Sequence, residues 1–589
     1  MTRRLFPALL CILLLCSCGS GGDSGIFYCR VVLEEGAGYT CADHVRTVPP
    51  GRDAVFSLRC ADGYTIVGAD CGDYNLESNA NGGITFTVHD VKYSTVISLT
   101  AERSAKTICY DSNDGSGVLP IEVPVTPSHL RWNTATGLFA RSGYTLTGWN
   151  ACPDGSGRRV GLGSRIEPEE RMTLYAQWAE WDPAEQYHWR VEQGGAAITA
   201  YLGTEETAVV PGELGGLPVR TIQAGAFENA PCRAVVLPDT LYAVEDGAFR
   251  GCALQELCLF DNIRSIGDPA FEGCEHLATL RLNAVEPPVY SGTYYDTFQD
   301  KFDRLSSLRD RKKIVLFSGS STRFGFDCAA LDEAFPEYEI VNMGVFAYTN
   351  AMPQMELILS CMEDGDILLH CPEFDASREQ FCTTNDLDEP FFSMMESNYG
   401  TLELLDLRRY RAVFTPLGNY LASKDPMSKR SYALSPADFD EDGNPVDSPS
   451  YNQYGDYIVY RPNAATSLPV FGAPIHYTAE VFPKEVFLNP LNTVYGRFQE
   501  KGVSVYFSYA PRNALALSES STLEARLDLD RYLRENLCAP VITELENSLW
   551  DGIYLYGTDN HLSTEGAAIR TQRLISALQV QMEKDMIVR

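Results

Sequence analysis

Three short stretches carry side chains suited to acyl transfer. The first is Ile314-Val315-Leu316-Phe317-Ser318-Gly319-Ser320-Ser321-Thr322-Arg323, an apolar run that ends in small residues and leads into a helical pattern over 328–335. A strand, a tight turn and a helix together expose one hydroxyl at the carboxyl end of the strand, and Ser321 is the expected nucleophile. The second is Val341-Asn342-Met343-Gly344, and the third is Gly557-Thr558-Asp559-Asn560-His561-Leu562-Ser563-Thr564-Glu565-Gly566. Acyl transfer needs a nucleophile, a base, a group that orients the base and an oxyanion hole, and these stretches hold one candidate for each. Each alone also suits a structural role, since serines in Gly/Ser turns commonly cap helices. This chemistry needs no metal, nucleotide or other cofactor.

The elements that must position these residues read as alternating strands and helices. Apolar strands are predicted at 314–317, 340–343, 367–369, 503–507 and 540–542, and amphipathic helices at 328–335, 352–361, 522–537 and 565–582. Such alternation implies an α/β three-layer domain with a parallel sheet, whose sites lie at the carboxyl ends of the strands. Residues 376–500 form a long insertion, expected to be a lid or substrate wall.

Together these motifs resemble the SGNH (GDSL-like) hydrolase superfamily over about 313–583, which implies a flavodoxin-like domain. The resemblance makes Ser321 the nucleophile and His561 the base, with the N–H groups of Ser321 and Gly344 holding the oxyanion. Ser320 stands where the family usually has aspartate. The third strand is followed by His370-Cys371-Pro372-Glu373-Phe374 rather than by the family's asparagine, as in proteins of the D-alanine-transfer and alginate-acetylation type, leaving Asn342 or Asn350 as substitute donors. Thr558 occupies the family's usual aspartate position. Asp559 has the Asp-x-His spacing of the SGNH-like acetyltransferases and is the expected orienting acid, with Asp551 second. His370 and His476 are lesser candidates, read as structural. The activity implied is that of a serine esterase or O-acyltransferase on acylated, chiefly acetylated, glycans or a cell-wall polymer.

The remaining segments read as export, attachment and display. Residues 1–18 pair Arg3 and Arg4 with an apolar core too short to span a bilayer, ending Leu15-Cys16-Ser17-Cys18. This resembles a bacterial lipobox, implying lipidation of Cys18 and a membrane anchor at the cell surface, with 19–26 as a flexible tether. Residues 27–103 alternate apolar and polar residues and predict a small β-sandwich-like module. Residues 104–180 carry Gly143-Tyr144, Gly148-Trp149-Asn150 and Leu174-Tyr175-Ala176-Gln177-Trp178, resembling a Listeria–Bacteroides repeat of the internalin B type. In 186–285, Phe227, Phe249 and Phe271 recur every 22 residues, as do Ile222, Val244 and Ile266. This resembles BspA-type leucine-rich repeats, which imply an adhesive surface for a protein ligand or a rigid spacer. Residues 286–311 read as a linker and 312–589 as the SGNH-like domain.

A net charge of -32 on 589 residues repels phosphate backbones and argues against nucleic acid as a partner. Cys29, Cys41, Cys60 and Cys71 cluster in one module and could form two disulfides or remain thiols. Asp438-Phe439-Asp440-Glu441-Asp442-Gly443 has the opening spacing of a calcium loop, but Pro449 stands at the twelfth position, so a solvated acidic turn is expected. The rival to the enzyme is a non-catalytic adhesin or scaffold whose repeats bind a surface partner.

Overall fold

The computed structural model describes residues 28–588 except 35, 37, 42, 62–63, 79–82, 104–106, 125–131, 135, 167–170, 287–288, 291–293, 347–348, 374–383, 425–450, 465–469 and 471–473. Cys18 and the acidic turn at 438–443 therefore lie outside the described residues.

Alternation in the first module produces two-sided strands. A four-stranded antiparallel sheet runs in the order Tyr39–Cys41, Arg52–Cys60, Ile84–Val91, Tyr74–Ser78. Ala54, Phe56 and Leu58 point inward against Phe86 and Val88, as a period of two requires. Cys29, Cys41 and Cys60 are buried thiols in this core, and Cys71 is a half-buried one. In the second module Arg171–Glu180 lies between Thr107–Asp111, parallel to it, and Tyr144–Asn150, antiparallel to it. Trp149 is fully buried against Tyr110, and the Trp178 indole donates to the Ser112 carbonyl at 2.7 Å, so both tryptophans are structural.

The 22-residue period becomes a short solenoid. Ala234–Val236, Glu256–Phe260 and Thr279–Asn283 pair in parallel, with Val235, Leu257 and Leu280 in register. Phe227, Phe249 and Phe271 stack inside it, with centroids 4.7 and 5.0 Å apart. The stack continues beyond the three phenylalanines at both ends. Tyr201 lies 4.8 Å from Phe227, and Phe414 lies 4.0 Å from Phe271. A solenoid exposes the apolar interior of its last coil unless something covers it, and here residues of the 376–500 insertion do so. Phe414→Ala should uncover Phe271 and destabilise the chain by about 2 kcal/mol, because Phe414 is only half-buried. Urea denaturation measures this; an unchanged midpoint would mean the cap carries no stability.

Elements that build the C-terminal domain are numbered here. They are α1 (Thr297–Ser307), β1 (Lys313–Phe317), α2 (Ser320–Arg323), α3 (Cys328–Ala334), β2 (Glu339–Asn342), α4 (Ala351–Ser360), β3 (Ile367–His370), α5 (Glu389–Met395), α6 (Phe414–Ser423), α7 (Asn489–Glu500), β4 (Ser504–Phe507), α8 (Leu523–Asn536) and α9 (Thr564–Val588). The sheet is wholly parallel in the order β2-β1-β3-β4, and Phe507 makes one further parallel bridge to Val541, where a fifth strand was expected. Alternate residues serve opposite faces. Val315, Phe317, Val341, Leu368 and Val505 join α4, α7 and α8 in one core, whereas Ile314, Leu316, Ile340, Leu369 and Tyr506 join α3 and α9 in the other. These are the three layers expected.

Two expectations about the surroundings change. The predicted linker 286–311 contains α1, whose Phe298, Phe302 and Leu305 are buried in the common core. The apolar stripe was masked by the charged residues between its members. Part of the insertion lies against the repeats rather than standing as a free lid: α6 packs on Ser265–Ile266, and the segment 396–404 packs on Thr279–Asn283, whereas α7 packs on β4. A buried cluster locks this contact. Lys424 lies 2.7 Å from Asp261 and 2.8 Å from Glu396, while Glu396 also accepts the Val289 amide at 2.8 Å.

Candidate functional site

The site forms at the carboxyl ends of β1 and β3, where the strand order reverses. β1 ends at Phe317, and α2 begins at Ser320 with Gly319 as its N-cap residue. Successive helical residues point about 100° apart, so Ser320 and Ser321 cannot face the same neighbour. Ser320 is the half-exposed one. Its Oγ lies 2.7 Å from His561 Nε2, in hydrogen-bond contact. Ser321 is fully buried, its Oγ has no hydrogen-bond partner among the described residues, and its carbonyl accepts from Arg570 Nη1 at 3.0 Å. The serine that meets the histidine is thus Ser320, one residue before the expected Ser321. The signal was present in the sequence: Ser320, directly after Gly319, opens the helix.

His561 is carried on a short loop before α9. Leu555 and Leu562 close that loop by an antiparallel bridge, and the Tyr556 amide donates to the His561 carbonyl at 2.9 Å. Gly557 turns the chain at φ 68°, which costs glycine little. Thr558 accepts the His561 amide on its hydroxyl at 3.1 Å and so shapes the turn. The imidazole also packs on the Phe324 ring, with centroids 4.4 Å apart. Asp559 is buried beside it in the chain; its Oδ1 accepts from Asn513 Nδ2 at 3.2 Å, and its carbonyl accepts the Asn513 amide at 2.7 Å. Asp551 instead caps a short helical turn through the Ile553 amide at 3.0 Å.

The expected oxyanion donors are engaged within the protein. The Ser321 amide donates to Glu373 Oε1. The Gly344 amide donates to Asn342 Oδ1 at 2.9 Å. Asn342 is fully buried and spends its Nδ2 on the Thr322 carbonyl at 3.1 Å and on Asp456 at 2.9 Å. Asn350 Nδ2 donates to the Asp386 carbonyl at 2.8 Å. Gly344 does meet the site's backbone: a Cβ there would fall 2.4 Å from the Arg323 nitrogen, so it permits β2 to approach α2. The amide of Ser320 itself heads α2 and has no partner among the described residues.

Glu373 takes the place of the missing third-motif asparagine. It is 1% exposed, and Asn560 Nδ2 donates to its Oε2 at 2.6 Å. It therefore ties the end of β3 both to the serine turn and to the histidine loop. Sequence reasoning passed over it because a carboxylate is not an oxyanion donor. His370 is buried with its Nδ1 2.6 Å from the Tyr495 hydroxyl, and burial pulls its pKa down to about 3, so it is a neutral core residue. His476 is exposed and lies 3.1 Å from the Ser520 hydroxyl. Among the described residues, no group of three or more His, Cys, Asp or Glu side chains could hold a metal ion.

Behind the site, Lys301 of α1 donates its ammonium to the Gly344 carbonyl. Burial first, then the nearby Arg323 charge, lower its pKa to about 7. The folded value lies below the unfolded one of about 10.4. The unfolded chain therefore binds more protons between these values, and stability should rise as pH increases from about 7 toward 10. The penalty of the buried ammonium is complete below pH 7. Lys301→Met should flatten that rise in a series of melting curves; an identical slope in both proteins would remove Lys301 as its source.

The BspA type leucine rich repeat region model matches residues 220–299 in six copies, so this segment is a leucine-rich repeat region of that type. No curated protein matches the chain. Among solved structures, a leucine rich repeat protein of T. pallidum is 23% identical, covering 18% of this chain and 72% of its own at a TM-score of 0.13. A leucine rich cell surface protein from Faecalibacterium prausnitzii is 22% identical, covering 23% of this chain and 35% of its own at a TM-score of 0.15. No helix among the described residues is long and apolar enough to cross a membrane.

Proposed function

We propose that the C-terminal domain is a serine acyl-transfer catalyst of the SGNH type, carried on a surface-anchored repeat protein and acting on acylated glycans. The observation that carries this reading is the 2.7 Å contact of Ser320 Oγ with His561 Nε2 at the carboxyl end of a central parallel strand. Ser320 Oγ attacks the acyl carbonyl while His561 takes its proton. The tetrahedral intermediate collapses as His561 returns that proton to the departing sugar oxygen, leaving an acyl-Ser320 ester. Water or a second sugar hydroxyl, deprotonated by His561, then attacks that ester and frees Ser320. Asp559 orients the imidazole through the short loop that both share. The Ser320 amide at the head of α2 is the donor left for the oxyanion.

Glu373 favours a second reading, that of a non-catalytic adhesin or scaffold. A buried carboxylate on the Ser321 amide places negative charge where an oxyanion would develop. The repeats would then do the binding and the α/β domain would cap and present them. Incubation with a fluorophosphonate, followed by peptide mapping, separates the two. An adduct on Ser320 supports the catalyst, and the absence of any serine adduct together with no turnover of p-nitrophenyl acetate or of an acetylated xylan supports the scaffold.

A further inference from the structure

A cleft of about 500 Å³ opens where three segments meet: the module at 104–180, α1, and residues 398–404 of the insertion. None of the catalytic candidates lines it. In a chain with 79 acidic residues, it collects arginines. Two of them are neutralised within the protein. Arg159 pairs with Glu403, and Arg165 lies 2.7 Å from Asp300 with Asp303 at 3.7 Å. Two others, Arg158 and Arg309, are exposed and have no carboxylate partner among the described residues. The cleft also holds a buried hydroxyl. Ser164 is 4% exposed, and its Oγ has no hydrogen-bond partner among the described residues. Buried hydroxyls are normally paired, so an unpaired one lining a cleft marks a place where a ligand group completes the bond. Asn398 lines the same cleft, at a backbone kink (φ -159°, ψ 77°) inside an otherwise helical turn.

We propose that this cleft binds an acidic sugar unit of a glycan chain. Guanidinium groups match a carboxylate or phosphate through paired N–H donors, so Arg158 and Arg309 donate to the ligand's acidic group. A sugar hydroxyl completes the bond to Ser164, and the Asn398 amide offers a donor and an acceptor to another. The volume falls in the range of small-molecule sites and admits about two sugar rings. The site therefore holds a polymer to the protein and stands apart from the acyl-transfer reading of Ser320.

Calorimetric titration of the full chain with digalacturonate, with glucose 6-phosphate and with cellobiose tests this. Binding of an acidic sugar but not of cellobiose is expected, weakening as salt rises. Preference for digalacturonate identifies a uronate ligand, and preference for the phosphate identifies a phosphorylated sugar. The Arg158→Gln/Arg309→Gln double variant should bind at least about tenfold more weakly. Ser164→Ala should weaken binding by about fivefold with an unchanged melting temperature, since its hydroxyl has no partner to lose. Ser320→Ala should bind as the parent does, which keeps this site distinct from the acyl-transfer reading. No binding of either acidic sugar, or binding left intact by the arginine and Ser164 substitutions, overturns the proposal.

Discussion

On the proposed acyl-transfer reading, replacing Ser320 with alanine is expected to lower acyl turnover by about 10³-fold or more, because a nucleophile and its general base act as a unit. Ser321→Ala is expected to leave turnover and stability nearly unchanged. Its hydroxyl is buried and has no partner among the described residues, so removing it breaks no hydrogen bond there. The contrast between adjacent serines is the informative part. A reading based on motif position puts the loss at Ser321, whereas the hydrogen bond to His561 puts it at Ser320. Initial rates with p-nitrophenyl acetate, alongside fluorophosphonate labelling of each variant, measure both. If Ser321→Ala abolishes labelling while Ser320→Ala leaves it intact, the assignment of the nucleophile made here is wrong. His561→Ala should match Ser320→Ala in its effect on turnover, and the double variant should add little to either.

The second large effect is expected at Lys424. Its ammonium is buried between Asp261 of the repeat region and Glu396 of the insertion, and the Tyr399 hydroxyl lies 3.2 Å away. Burial and these carboxylates push the Tyr399 phenol well above its ordinary pKa, so it stays a neutral hydrogen-bonding group. Lys424→Met would leave two buried carboxylates without a counter-charge, and breaking such a cluster costs about 3–5 kcal/mol. Urea denaturation of the full chain should show an earlier transition in which the repeats lose their cap together with the α/β domain. The triple variant Asp261→Asn/Glu396→Gln/Lys424→Met should recover most of the loss, because no uncompensated charge remains. A Lys424→Met protein within about 1 kcal/mol of the parent would mean that the cluster is not a lock between the two units.

Much of the fold was legible in the sequence because it rests on periodicity. The alternating runs at 54–58 and 84–88, the 22-residue recurrence of Phe227, Phe249 and Phe271, and the four apolar runs of the parallel sheet each repeat a local rule. Local rules survive folding when one face of an element must be buried. The histidine and its neighbourhood on the serine turn could be found for the same reason, since strand-to-helix turns on such sheets lie together. Less was legible where function depends on side-chain direction or on contacts between segments far apart. α1 was read as a linker because charges separate its apolar residues. The insertion was read as a lid because nothing local says that Phe414 will stack on Phe271.

By itself, the sequence determined that a serine would sit at the end of a central strand, that a histidine would precede the last helix, and that a short phenylalanine-stacked solenoid would come before both. Only the tertiary structure decided which serine meets that histidine, because one residue of helical rotation turns Ser320 toward the imidazole and Ser321 into the core. It also decided that Glu373 takes the Ser321 amide, since that bond joins residues 52 positions apart and depends on how two strand ends lie side by side.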